Sequence, residues 1–142
     1  MKNIHKLAAI DIGSNAVRLL ITSIRINKPD TKFKKISLVR VPLRLGEDVF
    51  SNGKISDKKL KKLQKTLKAF KILMQMHEVY MFKAVATSAM REAENSTKII
   101  EDIFKKLNIK IDLISGKKEA LMIANVFLNS MENLANNYLY VD

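Results

Sequence analysis

A chain of 142 residues, 47% of them hydrophobic, has enough apolar material for one core and forms one domain or part of one. The absence of cysteine excludes disulfides and thiolate metal sites, and two distant histidines, His5 and His77, argue against a zinc centre. The net charge of +12, from 26 Lys and Arg against 14 Asp and Glu, favours polyanionic partners, while the lack of a membrane-length apolar run or a signal-peptide cleavage pattern makes a cytoplasmic protein the expectation.

Apolar, β-branched-rich runs at Leu7–Ile10 and Val17–Ile24 predict two strands joined by the polar turn Asp11-Ile12-Gly13-Ser14-Asn15. Gly13 lets the main chain approach a ligand, and Ser14 and Asn15 supply hydrogen-bond donors, so the turn can wrap an anion. Asp11, ending a buried strand, is costly unless a cation faces it. A metal with a phosphate would explain both features; an ordinary β-turn with a capping Asp is the alternative. A third strand is predicted over Phe33–Leu45, with Pro42 marking an edge or bulge, and Gly46–Gly53 reads as loop. Ser56 is a good N-cap for a helix whose Leu60, Leu63, Leu67, Phe70 and Met74 recur at core-facing spacing.

Val79–Ala86 predicts a fourth strand that closes at Thr87-Ser88, and a short helix or turn follows through Arg91. A helix over Ser96–Leu107, a strand over Ile109–Ile114, and a nearly all-apolar helix from Lys117 to about Asn129 come next, the last expected to be buried. Tyr138–Val141 begins another strand. The fold class expected is therefore α/β, a βββαβαβα mixed sheet with helical cover, the ribonuclease-H-like arrangement. A chain stopping at Val141-Asp142 is expected to be the front part of a longer protein.

The segment after residue 53 is crowded with lysine: Lys54, Lys58, Lys59, Lys61, Lys62, Lys65, Lys68 and Lys71 accompany only Asp57. Nucleic acid, anionic lipid or polyphosphate would suit it, and a solvated helix face in a lysine-rich chain would equally produce it. The solvated face is the preferred reading. The one aromatic residue within the run, Phe70, belongs to the core-facing stripe, so the lysine face has no base-stacking platform and nucleic acid is not expected.

Polar clusters follow three strand ends: Asp11–Asn15, Thr87–Ala93 and Ser115–Ala120. In an open α/β sheet such residues converge on one crevice. Together they offer anion donors, a guanidinium and carboxylates, the inventory for cleaving a phosphoanhydride with water and a divalent metal. Taken alone, Arg91 also reads as a helix-end surface arginine, and Glu119 as a first-turn glutamate favoured by the helix dipole. Glu47 and Asp48 read as loop residues at the crevice edge, and Arg18 and Arg44 as pairing within or across strands.

The ordered blocks AAIDIGSNAVRLLI (8–21), RLGED (44–48), ATSAMREAEN (86–95), ISGKKEA (114–120) and YVD (140–142) resemble the exopolyphosphatase and guanosine pentaphosphate phosphohydrolase family, a branch of the actin-like ATPase fold. The resemblance spans essentially the whole chain. It implies an N-terminal lobe, residues 1–142, cut at the start of a second phosphate loop, and hydrolysis of terminal phosphoanhydrides of polyphosphate or guanosine pentaphosphate. It further implies Glu119 as general base and Arg91 as phosphate clamp, with Gly13, Ser14 and Asn15 in the first phosphate loop. Asp11 and Asp142 would place magnesium. The implied partners are the substrate, the C-terminal lobe of the same protein and a second copy of the chain, with no membrane. Residues 1–142 alone are expected to be inactive.

Two positions depart from the family pattern. Lys118 stands where a first acidic residue is usual, making the field beside Glu119 more positive and more attractive to polyphosphate, and Ala16 replaces a common Ser. A non-catalytic polyphosphate or alarmone sensor is therefore the alternative function, and an ATP-dependent kinase of the same fold a third.

Overall fold

The computed structural model describes residues 4–26 and 31–122. In chain order its elements are β1 (Ile4–Ile12), β2 (Ala16–Ile26), β3 (Thr31–Pro42), α1 (Leu45–Asn52), α2 (Asp57–Met76), β4 (Met81–Ala86), α3 (Ser88–Glu92), α4 (Ser96–Leu107) and β5 (Ile111–Leu113). A final helix, α5, is described over 116–122. One five-stranded sheet has the order β3-β2-β1-β4-β5. β1–β2 and β2–β3 pair antiparallel, whereas β4 joins β1 and β5 joins β4 in parallel. This is the mixed sheet expected from the sequence.

Strand alternation chooses the faces. Ala8, Ile10 and Ile12 of β1, Val17, Leu19 and Ile21 of β2, and Ala84 and Ala86 of β4 are all buried on one side. Helices α2 and α4 cover that side through Leu63, Leu67, Phe70 and Met74, and through Ile99 and Ile103. Ser56 caps α2 as expected, accepting from the Lys59 N–H at 3.4 Å. Leu67 is fully buried in this layer, and truncating such a residue to Ala costs about 2–5 kcal/mol. At the leading ends of both helices the Asn95 amide grips the Ile55 backbone from both sides, accepting its N–H at 3.0 Å and donating to its carbonyl at 2.8 Å.

Three expectations need correction. The third strand ends at Pro42 rather than Leu45, and residues 45–52 form a helix rather than a loop. That helix starts from Arg44, which adopts a left-handed backbone (φ 53°) without a capping side chain. Tertiary contacts hold it instead. Leu45 and Val49 are buried, and the Lys59 ammonium reaches the Arg44 carbonyl, Glu47 Oε2 at 3.1 Å and Asp48 Oδ1 at 2.9 Å. Thirdly, Leu121 and Met122 are exposed, because α5 does not pack into the α2–α4 core; Met122 lies along the opposite face of the sheet. The rest of the expected apolar helix, the strand from Tyr138, and Asp142 lie outside the described residues.

Candidate active site

The parallel strands β1, β4 and β5 bring their carboxyl ends to one edge of the sheet. The ladder runs on past their ends: the Thr87 N–H donates to the Ile12 carbonyl at 3.2 Å, and the Ile114 N–H to the Ala86 carbonyl at 3.1 Å. Each polar cluster singled out in the sequence therefore leaves the sheet beside the next.

The turn between β1 and β2 is tight, with the Gly13 N–H donating to the Ala16 carbonyl at 3.0 Å. A Cβ on Gly13 would lie 3.1 Å from that carbonyl oxygen, so the glycine serves closeness within the turn. The neighbouring chain wraps the loop. Asn15 O accepts from the N–H groups of Leu43 and Arg44 at 3.1 and 2.8 Å, and Ser14 O accepts from Gly46 at 2.8 Å. Ser14 also bridges to the next cluster: its Oγ lies 2.6 Å from Ser88 Oγ and accepts the Ala89 N–H at 3.1 Å. Thr87, the N-cap of α3, makes no side-chain capping bond, so Ser14 satisfies an α3 terminal donor from across the crevice.

Two neighbouring concavities result. Ser14, Asn15, Arg44, Gly46, Glu47 and Phe50 line a groove of about 500 Å³. On the sheet face opposite the core, Asp11, Arg18, Lys83, Thr87, Ile114 and Glu119 line a cleft of about 490 Å³. Asp11 and Glu119, assigned from segments more than a hundred residues apart, thus share one cavity. Arg18 faces Asp11 in the antiparallel register and donates Nη1 to its Oδ2 at 2.9 Å, supplying the cation that the strand-end carboxylate required. Arg91 reaches the same edge from α3, donating Nη1 to the Ile114 carbonyl at 2.8 Å. A Cβ on Gly116 would stand 4.0 Å from Arg91 Nη2, so the start of α5 passes close to the guanidinium. Ser115 caps α5 through the Lys118 N–H at 3.2 Å and thereby sets the turn that carries Glu119.

Sequence reasoning missed Lys83, and it singled out Ser88 only as a member of the Thr87–Ala93 cluster. Lys83 is registered opposite Ala9 on β1 and pairs with Asp112 at 3.6 Å; the alternation of β4 was the available signal, since Ala84 and Ala86 claim the core face. Glu47 and Asp48 sit on α1 rather than in a loop, and Glu47 lines the groove. Hydrogen bonds from the Ser56 hydroxyl, and then from the Lys59 ammonium, hold the Asp48 carboxyl down at about 2. Glu47 is lowered chiefly by its bond from Lys59. Lys59 is raised: burial, the largest single influence, opposes its charge, and the two carboxylates outweigh it. Among the described residues no group of three or more His, Cys, Asp or Glu side chains could hold a metal, and no helix is long and apolar enough to cross a membrane.

Residues 24–142 match the model of the Ppx/GppA phosphatase family. The bifunctional 3-dehydroquinate synthase/phosphatase of Fusobacterium nucleatum is 31% identical over 145 residues, covering 99% of this chain and 22% of that protein. Exopolyphosphatase 1 of Mycobacterium tuberculosis is 30% identical over 115 residues, 81% of this chain and 33% of the relative. Among solved structures, the Aquifex aeolicus Ppx/GppA family member superposes with a TM-score of 0.75 at 30% identity, over 82% of this chain and 37% of its own. An exopolyphosphatase from Cytophaga hutchinsonii does so at 0.74 and 29% identity, over 83% and 36%. The chain spans between about a fifth and a third of these curated relatives' length.

Proposed function

The chain belongs to the Ppx/GppA phosphatase family, and on that footing we propose that the full-length protein hydrolyses the terminal phosphoanhydride bond of inorganic polyphosphate or guanosine pentaphosphate. The observation that carries this reading is the shared cleft of Asp11 and Glu119, walled by Thr87 and Ile114 at the ends of parallel strands. Relatives named as exopolyphosphatases support the substrate class.

In this mechanism Ser14 and Asn15 hold phosphate oxygens at the groove, and Arg91, anchored through Nη1, clamps the chain end with its remaining donors. Glu119 orients a water and takes its proton as the water oxygen attacks the terminal phosphorus. The bond to the bridging oxygen breaks, its electron pair stays on the shortened chain, and orthophosphate departs. Magnesium takes one or two carboxylates together with substrate phosphates and water, and the Asp11 carboxylate, which lines the cleft, fits that donor set. Asp11 would hold it, with Asp142 as a further ligand, and when bound it neutralises charge on the leaving phosphate.

A C-terminal lobe of the same protein would face the cleft, so residues 1–142 alone should release no phosphate. A cytoplasmic location and pairing with a second copy belong to the same proposal. The test is phosphate release by the full-length protein from long-chain polyphosphate and guanosine pentaphosphate side by side, with magnesium and with a chelator. Magnesium-dependent release from either substrate supports hydrolysis and names the preference. Tight binding of either without release would favour the sensor, the reading encouraged by Lys118 beside Glu119.

A further inference from the structure

Helix α2 carries more charge than its packing uses. Lys59 is spent on Glu47 and Asp48, and Lys71 donates Nζ to the Leu107 carbonyl at 2.8 Å, pinning the end of α4 alongside α2. Lys58, Lys61, Lys62, Lys65 and Lys68 enter no ion pair among the described residues. The only acidic residue of the helix is Asp57. Lys61, Lys65 and Lys68 follow one another at helical spacing, a row roughly 10 Å long at the helical rise per residue. Like charges at such spacing repel each other and weaken a helix, a cost that a bound polyanion removes.

These lysines do not stand on a convex face. Lys61, Gln64, Lys65 and Lys68 of α2, with Lys106 and Leu107 of α4, line a groove of about 250 Å³ where the two helices meet. All four of its lysines are exposed. Among the described residues no aromatic side chain lines it, so it offers charge without the stacking platform that single-stranded nucleic acid uses. The groove also lies on the helical layer covering the core face, whereas Asp11 and Glu119 open on the other side of the sheet.

We propose that this groove is a second, non-catalytic binding site for inorganic polyphosphate, which grips a long chain away from the end being hydrolysed. The inference rests on the polyphosphate reading of the active site and deepens it: it assigns long chains, rather than guanosine pentaphosphate, as the substrate the molecule retains. A tripolyphosphate engages one site at a time, while a long chain reaches both and gains affinity by effective concentration. Binding at the groove is electrostatic and weakens steeply with salt.

The test uses the full-length protein and the variant K61Q/K65Q/K68Q/K106Q, with the four corresponding Lys→Arg changes as a charge-conserving control. Equilibrium binding of long-chain polyphosphate in chelator is measured beside magnesium-dependent phosphate release from long-chain polyphosphate and from tripolyphosphate. Exposed pairs of this kind each contribute modestly, so the four together are expected to weaken long-chain binding, and raise its KM, on the order of tenfold. Tripolyphosphate kinetics and kcat should not move, and the arginine control should bind like the parent. Long-chain binding that the glutamine variant leaves unchanged would overturn the proposal even in an active enzyme. Single-stranded RNA or anionic lipid vesicles competing as well as polyphosphate of equal charge would also overturn it. Lysine-dependent polyphosphate binding without phosphate release from either substrate would keep the groove and reject the hydrolase reading.

Discussion

Gly46 is where the turn between β1 and β2 is most sensitive to a single methyl group on a neighbouring element. A Cβ there would lie 2.8 Å from Phe50 Cε2 and 3.1 Å from Ser14 Cβ. The first clash is cheap, because Phe50 is 63% exposed and its ring can turn away. The second is not. Ser14 is held at Oγ by Ser88 and the Ala89 N–H, and at its carbonyl by Gly46 itself. Relief therefore requires the loop to shift by a few tenths of an ångström. Overpacking costs about 1–3 kcal/mol, and replacing a helical glycine with alanine returns up to about 1 kcal/mol, so Gly46→Ala should lose no more than about 3 kcal/mol of stability. Function should suffer more, since a misplacement of about 1 Å can cost on the order of a hundredfold in rate. A smaller shift of Ser14 and Asn15 should then lower kcat/KM for phosphate release by several-fold to about tenfold. Thermal melts and steady-state kinetics on the full-length protein read the two effects separately. The double change Gly46→Ala/Phe50→Ala removes the ring clash and should keep the kinetic defect. A Gly46→Ala protein with parental kcat/KM would refute the claim that α1 positions the loop.

Ser14→Ala should cost about 1–2 kcal/mol, because it strips the acceptor from the Ala89 N–H at a buried helix start; a melt within error of the parent would show that water replaces the hydroxyl. Asp48→Asn should cost about 1–2 kcal/mol at neutral pH, after allowing for solvent around a partly open site. The folded carboxyl, at about 2, lies below its ordinary 3.8, so its contribution is complete above that ordinary value, shrinks as pH falls below it and is lost as pH falls through 2. Urea unfolding of parent and variant should accordingly converge only below pH 2, at about pH 1, and a gap that persists there would contradict the assignment.

Local chemistry made most of the sheet legible. Alternating Ala8, Ile10, Ile12 and Val17, Leu19, Ile21 announced the first hairpin, and the apolar spacing of α2 and α4 gave their buried faces. Helix α1 escaped because its cues are tertiary: a left-handed Arg44 in place of a polar N-cap, and a lysine from another helix holding its acids. In the site, strand-end placement correctly predicted that Asp11 and Glu119 converge, and cross-strand pairing anticipated Arg18. The Ser14–Ser88 bond could not be foreseen, since 74 residues separate its partners and only the finished sheet brings them together. Likewise, the exposure of Leu121 and Met122 depends on which face of the sheet α5 joins, which an all-apolar run does not specify.

The central claim is that Glu119 acts on water in the Asp11 cleft. Its most direct test is Glu119→Gln in the full-length protein, comparing magnesium-dependent phosphate release with binding of the same substrate. Glutamine keeps the shape and removes the base, so turnover should fall on the order of a hundredfold to ten-thousandfold while affinity stays near the parent's. Turnover that survives the change would contradict the account and move the general base to another residue.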